Sequence, residues 1–152
     1  SLQLGINHLK VAKGGVTLTT KLVDGQFPDY EKVVPKDASR VLSGDRDTLK
    51  QGFQRASILS NEKYRGVRLA ISPDSLMIQA NNPEQEEAEE TVPVQFSGDQ
   101  LEIGFNVSYL LDVLSVIDSD QVQMSVSDAN SSALLEAVDD NNAVYVVMPM
   151  RL

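Results

Sequence analysis

The sequence contains no cysteine and no tryptophan, and its single histidine is His8. Without cysteine the chain can form neither a disulfide nor a thiolate zinc site, which fits a reducing cytoplasm. It also lacks an apolar run of about 18 residues, the length that a membrane span needs. Its first residues do not carry the charged, apolar and small-residue stretches of a targeting segment. We therefore predict a cytoplasmic chain of about one domain that contacts no membrane.

The sequence is equally poor in patterns that carry catalysis. His8 lies in a predicted strand, and because nothing marks it as a catalytic base we interpret it as a half-exposed strand residue. There is no glycine-rich phosphate loop and no His/Cys spacing for zinc. The glutamates between residues 84 and 90 lack the Asp/Asn and glycine positions of a calcium loop. These absences predict a chain that is not an enzyme and binds no cofactor or metal.

Charge is distributed unevenly along the chain, whose formal net charge is −9. Residues 1–68 carry 12 lysines and arginines against 7 acidic residues, whereas residues 69–152 carry one basic residue, Arg151, against 15 acidic residues. A chain this acidic should be repelled by nucleic acid unless its basic residues gather on one face. The basic first half makes such a face possible.

Residues 2–22 alternate apolar and polar side chains on both sides of Gly14 and Gly15, which predicts a β-hairpin. A lone two-stranded hairpin is marginally stable in water, so this one is expected to pack on another part of the protein. Residues 24–30 are typical of a turn and a linker.

Hydrophobic periodicity predicts the same strand, helix and three-strand unit twice. Asp45 caps a helix that extends to about Ser60, and Asn106 caps a second helix whose apolar face reaches Ile117. The predicted strands span residues 38–42, 67–71, 76–80, 92–96, 101–105, 122–126, 133–137 and 144–148, with an acidic loop before the fourth and turns at 128–130 and 139–142. This pattern predicts an α+β fold of two βαβββ repeats, with two helices on one face of an antiparallel sheet.

The end of the chain allows two interpretations. Residues 144–148 form an apolar, β-branched strand, and Pro149 ends it because proline has no N–H to donate. Met150, Arg151 and Leu152 then follow. They are either a frayed tail or one wall of an apolar groove, since methionine is common at surfaces that accept varied partners.

Five stretches of the chain carry a family resemblance. They are residues 22–30 (LVDGQFPDY), 57–69 (SILSNEKYRGVRL), 80–90 (ANNPEQEEAEE), 103–109 (IGFNVSY) and 145–152 (YVVMPMRL). In this order they resemble the bacterial DNA sliding clamps, the β subunits of DNA polymerase III, in their proteobacterial form. The resemblance implies a non-catalytic processivity factor of DNA replication, in which two three-domain subunits close head to tail as a ring around duplex DNA. Residues 1–29 would then be the terminal hairpin and linker of the second domain, and residues 30–152 the third domain.

The resemblance also implies a groove that binds the clamp-binding motifs of DNA polymerases, the clamp loader and repair proteins. The positions that match it are Pro28, Lys32, Val33, Asn106, Tyr109, Ser132, Val146, Met148, Pro149, Met150 and Arg151. Lys32 stands where close relatives often carry arginine, and Asn130 where they carry an apolar residue. Both departures are expected to make the groove slightly more polar.

Two further surfaces follow from the resemblance. The homodimer interface is expected at Ile58 and Leu59, together with the acidic residues Glu84, Glu86, Glu87, Glu89 and Glu90, which would face basic residues of the partner. Adjacent Ile58 and Leu59 cannot both belong to one helical stripe, so one of them is expected to project outward. The candidates for non-specific contact with duplex DNA are Arg46, Lys50 and Arg55 on the first helix.

Two other function classes remain open at this point. The first is an unrelated, non-enzymatic peptide-binding adaptor built on a β domain. The second is an enzyme whose site consists of unmarked carboxylates, such as the paired acids of a glycosidase. Binding of clamp-motif peptides, together with a lack of turnover on broad substrate panels, would separate the clamp from both.

Overall fold

The computed structural model describes residues 1–25, 29–35, 38–138 and 143–151, with only the backbone of Lys32. Within these ranges the elements are β1 (Leu2–Leu4), β2 (His8–Lys13), β3 (Val16–Lys21), α1 (Tyr30–Val33), β4 (Arg40–Asp45), α2 (Arg46–Ser57), β5 (Gly66–Ser72), β6 (Ser75–Asn81), β7 (Glu87–Pro93), β8 (Gln95–Ser97), β9 (Leu101–Asn106), α3 (Val107–Val116), β10 (Gln121–Val126), β11 (Ala133–Ala137) and β12 (Val144–Val147). None of these helices is long and apolar enough to cross a membrane.

The two predicted repeats are present and they exchange strands. One sheet has the order β12-β11-β10-β4-β8 and the other the order β7-β6-β5-β9. The first strand of each repeat therefore lies in the sheet of the other, because β4 pairs antiparallel with β10 and β9 pairs antiparallel with β5. Helices α2 and α3 pack on each other and contact strands of both sheets. The α+β class is confirmed, while the division of the strands between two sheets was not predicted.

The two predicted helices, α2 and α3, begin where their capping residues predict. Asp45 accepts hydrogen bonds from the backbone N–H of Thr48 at 2.7 Å and from its hydroxyl at 2.5 Å, and these bonds lower the pKa of the Asp45 carboxyl. Asn106 accepts from the N–H of Ser108 at 2.9 Å. Helix α2 ends at Ser57, slightly before the predicted end, and it buries the stripe that contains Leu49 and Phe53. The caps thus place the two apolar faces against each other and the sheets.

The predicted strand 92–96 and the acidic loop before it are wrong in their boundaries. The chain forms β7 up to Pro93, leaves the sheet at Val94, and then joins the other sheet as β8. Pro93 interrupts the ladder because it donates no hydrogen bond. Glu87, Glu89 and Glu90 consequently lie on a strand. The inward Ala88 is small and only partly buried, so this strand lacked the apolar alternation that predicts one.

The N-terminal residues form their own sheet, β1-β2-β3. The predicted hairpin is confirmed, with Gly14 and Gly15 at φ 56° and 80° in its turn, whereas β1 was not predicted. Its strand residues are exposed or half-buried, and none belongs to the hydrophobic core. Among the remaining predictions, the first strand begins at Arg40 rather than at residue 38, and the turn at 139–142 lies outside the described residues.

Gly52 shows how closely α2 approaches the sheet. A Cβ at this position would stand 2.6 Å from Val92 Cγ2 and 3.3 Å from Ile78 Cδ1. Glycine inside a helix normally costs about 1 kcal/mol relative to alanine. Here the missing side chain lets the helix pack directly on β6 and β7.

We therefore expect Gly52→Ala to lower the free energy of unfolding by roughly 1–3 kcal/mol, because overpacking outweighs the gain in helix propensity. Urea denaturation of this chain measures the change. Gln51→Ala, on the exposed side of the same helix, is the control and should stay within about 0.5 kcal/mol of the unsubstituted chain. Adding Val92→Ala should make Gly52→Ala less costly. A Gly52→Ala chain as stable as the unsubstituted one would contradict the close packing.

Candidate functional site

The residues after β12 are held at two points. The Met150 N–H donates to the carbonyl oxygen of Gly104 on β9 at 2.8 Å. The Ser132 hydroxyl lies 2.9 Å from the Met148 sulfur. Because Gly104 belongs to the edge strand β9, this contact continues the ladder by one bond. The tail (residues 148–151) is therefore anchored, and the interpretation as a frayed end is wrong.

The tail and helix α3 both carry exposed apolar or aromatic side chains. Met148 is 64% exposed, and Tyr109, in the first turn of α3, is 58% exposed. Helix α3 contacts β12, which precedes the tail, and it directly follows β9, to which the tail is bonded. Val146 and Pro149 are half-buried. The structure thus brings most of the predicted groove positions to one region of the fold.

Among the described residues, the structure does not connect the other predicted groove positions with the tail through their side chains. The Asn106 side chain is occupied as the cap of α3. Pro28 and the side chain of Lys32 lie outside the described residues. Val33 is 42% exposed on α1, and no described contact connects it with the tail. Asn130 is exposed in a turn where Asp128 accepts hydrogen bonds from the N–H groups of Asn130 and Ser131, which lower the pKa of Asp128.

Met150 and Arg151 of the tail also line a cleft. This cleft of about 430 Å³ is lined by Asn61, Tyr64, Gly66, Asn81, Asn82, Pro83, Met150 and Arg151. Met148 therefore faces Ser132, while Met150 and Arg151 face the loops that flank β5 and β6. Tyr64, which is 56% exposed, was not among the predicted site residues. An exposed tyrosine among polar loop residues was the available signal.

The five predicted interface glutamates do not face one way. Glu87 and Glu89 lie on the outer side of the edge strand β7, and the Gln79 amide donates to Glu89 at 3.1 Å. Glu86 bonds to Asn82 in the preceding loop, and Glu84 is exposed in the same loop. Glu90 is half-buried on the side that faces α2, because successive side chains of a strand alternate. Only part of this acidic group is directed outward.

Glu90 forms a bidentate ion pair with Arg55 of α2. The Arg55 Nε lies 2.9 Å from one carboxylate oxygen, and a terminal nitrogen of its guanidinium lies 3.0 Å from the other. The hydrogen bond from Arg55 lowers the pKa of Glu90, and the same contact raises the pKa of Arg55. Two residues that the sequence assigned to different surfaces are therefore bonded to each other.

The Arg46 side chain is also engaged by hydrogen bonds to other residues of this chain. Its guanidinium donates to the Ile117 carbonyl at 2.8 Å and to the Asp47 carboxylate at 3.0 Å. Lys50 is half-buried and takes part in none of the hydrogen bonds or ion pairs found in the described ranges. Of the three predicted DNA-facing residues, Lys50 is thus the one whose charge is not already paired with a described residue of this chain.

The apolar pair after α2 is split as predicted. Ile58, the capping residue at the end of the helix, is 76% exposed, whereas Leu59 is half-buried. Ile58 is thus free to project from the end of the helix.

Comparison with known proteins gives a consistent result. The family described as DNA polymerase III beta subunit, C-terminal domain, matches residues 31–151. The beta sliding clamp of Pseudomonas putida is 57% identical over all 152 residues. A crystal structure of the Pseudomonas aeruginosa sliding clamp with ligand is 58% identical, with a TM-score of 0.89, over 99% of this chain and 41% of that one. The same clamp bound to griselimycin gives a TM-score of 0.87 with the same coverage. The chain spans 41% of the length of these relatives.

Hydrogen exchange tests whether the tail is anchored. The Met150 amide should exchange roughly tenfold or more slowly in this chain than in a free peptide of residues 144–152, because its N–H bonds to Gly104. NMR measures both rates at the same pH and temperature. Equal rates in chain and peptide would show that the tail is frayed after all.

Proposed function

The chain belongs to the family of the DNA polymerase III beta subunit, C-terminal domain, and on that premise we propose that it is the partner-binding end of a replicative sliding clamp. The whole protein would be a ring dimer that encircles duplex DNA in the bacterial cytoplasm and tethers DNA polymerases, the clamp loader and repair proteins. Its role would be mechanical and not catalytic. The relatives, of which this chain covers 41%, are named sliding clamps.

The anchored tail is the observation that carries this proposal. Met148 and Tyr109 present flexible and flat apolar surface, and the bond between Met150 and Gly104 holds the tail in place before any ligand arrives. A preformed site binds more tightly than one that must order itself, and methionine adapts to different leucine and phenylalanine side chains. A relative from Pseudomonas aeruginosa binds griselimycin, which supports a ligand site on clamps of this kind.

The proposed domain boundary separates the residues that form the hydrophobic core from the N-terminal sheet, which takes no part in it. Residues 30–152 would form the C-terminal clamp domain, and residues 1–29 the last hairpin and linker of the preceding one. Support comes from the family match, which begins at residue 31, and from the sheet β1-β2-β3, whose residues take no part in the core. Leu2 and Leu4 of this sheet are about 70% exposed, as expected of a surface that packs on further chain.

The ring interface is proposed at the end of α2 and along β7. Ile58 projects as an apolar anchor, and β7 is an edge strand, which offers unpaired backbone groups to a partner. Glu87 and Glu89 would meet basic residues of the partner's first domain. Duplex DNA inside the ring would be contacted without sequence preference and in a salt-sensitive manner, with Lys50 as the remaining candidate.

An unrelated adaptor domain is the weaker alternative. The similarity extends over both repeats and over the N-terminal hairpin, because the matched P. putida clamp aligns with every residue of the chain. An adaptor that shared only a tail and an acidic rim would not show this.

Calorimetry with a peptide of the Gln-Leu-x-Leu-Phe type tests the groove. It requires a full-length chimera, in which this chain is joined to the part of the P. aeruginosa clamp that it does not match. Deleting residues 148–152 should abolish binding, and Tyr109→Ala should weaken it roughly tenfold, since an anchor that the bound peptide covers contributes about 1–2 kcal/mol. Val116→Ala is the matched control, because Val116 is 61% exposed at the other end of α3.

The two changes differ in what they do to the fold. The deletion removes the bond to Gly104, so its thermal midpoint must be compared with that of the unchanged chimera. Tyr109→Ala removes an exposed side chain and leaves that bond in place. Undiminished affinity in both variants would place the groove elsewhere and contradict the proposal.

A further inference from the structure

Arg55 connects two elements that are distant in the chain. Its guanidinium makes two parallel bonds to Glu90, 35 residues away, and so ties the last turn of α2 to β7. A planar guanidinium that meets a carboxylate in this way restricts both position and orientation. The Arg55 side chain is 52% exposed and that of Glu90 27% exposed, so the contact lies at the rim of the helix–sheet junction.

The alternation of β7 explains why Glu90 differs from its neighbours. Ala88, Glu90 and Val92 face the helices, whereas Glu87 and Glu89 point to the opposite side. Glu90 is therefore directed at α2 by the strand itself. Its carboxylate is neutralised within the chain and is not presented outward with Glu87 and Glu89.

Arg55 also contacts the residue that projects from the helix end. Its carbonyl oxygen accepts the Ile58 N–H at 3.2 Å. One residue thus supports the turn that carries Ile58 with its backbone and holds β7 with its side chain. These are the two parts of the surface assigned above to the ring interface.

We propose that Arg55 is a positioning residue of the ring interface and does not contact DNA. Its ion pair with Glu90, called the brace below, holds the edge strand β7 against α2 and so fixes β7 relative to Ile58. This inference rests on the proposed function, because it needs the ring. An edge strand has a neighbour on one side only, so it can open locally more easily than an inner strand. The brace would keep the backbone of β7 and the Ile58 side chain in the relative position that a partner subunit requires.

Dimer dissociation of the full-length chimera, measured by mass photometry and analytical ultracentrifugation, tests the brace. The variants are Arg55→Ala, the isosteric Glu90→Gln, and the reversed pair Arg55→Glu with Glu90→Arg. Lys21→Ala is the control, since Lys21 pairs with Asp24 at 3.0 Å at the end of β3, in the N-terminal sheet, away from α2 and β7. Ile58→Ala with Leu59→Ala is the reference that should open the ring.

Arg55→Ala and Glu90→Gln should each raise the dimer dissociation constant roughly threefold to tenfold, a range set by a half-exposed but bidentate pair. Lys21→Ala should leave the dissociation constant unchanged. The reversed pair should recover most of the loss, because an arginine and a glutamate can form the same two hydrogen bonds with their positions exchanged. Peptide binding and DNA retention at matched dimer occupancy should stay as in the unchanged chimera for every variant.

The outcomes separate this inference from the proposed function. If the unchanged chimera does not dimerise, or if Ile58→Ala with Leu59→Ala leaves the dimer intact, the ring interface is wrong and the brace falls with it. If the ring behaves as proposed but Arg55→Ala dimerises as well as Lys21→Ala, the brace alone is wrong. A reversed pair that dimerises worse than either single variant would assign Glu90 to direct contact with the partner, and a loss of DNA retention at full dimer occupancy would assign Arg55 to DNA. Both results overturn the inference.

Discussion

The exchange of first strands between the two repeats is the constraint on which the rest of the structure depends. Neither repeat completes a sheet alone, because β4, followed by β8, extends the sheet of the second repeat and β9 extends that of the first. The exchange leaves β7 at one edge and β9 at the other edge of the same sheet. One edge is free for a partner, while the other receives the tail through Met150. The two proposed binding surfaces are thus consequences of a single arrangement of strands.

Much of this fold was predictable because its signals are local. Asp45 and Asn106 mark both helix starts, and alternating apolar residues mark most strands, so the two repeats could be counted from the sequence. Helical geometry also predicted that one of Ile58 and Leu59 projects outward, and the structure shows that it is Ile58. The pairing of β4 with β10 was not predictable in this way, since it depends on which strands meet across long separations.

The candidate site was predictable only for residues whose side chains match the positions that the family resemblance identifies. Met148 and Tyr109 could be named from the resemblance, and the structure leaves both side chains exposed, Met148 within the anchored tail. The bond between Met150 and Gly104 is made by backbone atoms, which no side-chain pattern reveals. The pair of Arg55 and Glu90 escaped prediction because β7 was taken for a loop, and a loop has no alternation that would turn Glu90 toward α2.

The central claim is that this chain forms part of a closed ring, and topology tests that claim most directly. The full-length chimera can be placed on a nicked circular plasmid by a bacterial clamp loader, isolated by gel filtration, and then treated with a restriction enzyme that cuts the circle once. We predict that the protein stays with the circle at moderate salt and is lost when the DNA becomes linear, since a ring slides off a free end. Equal retention on circular and linear DNA would contradict the account.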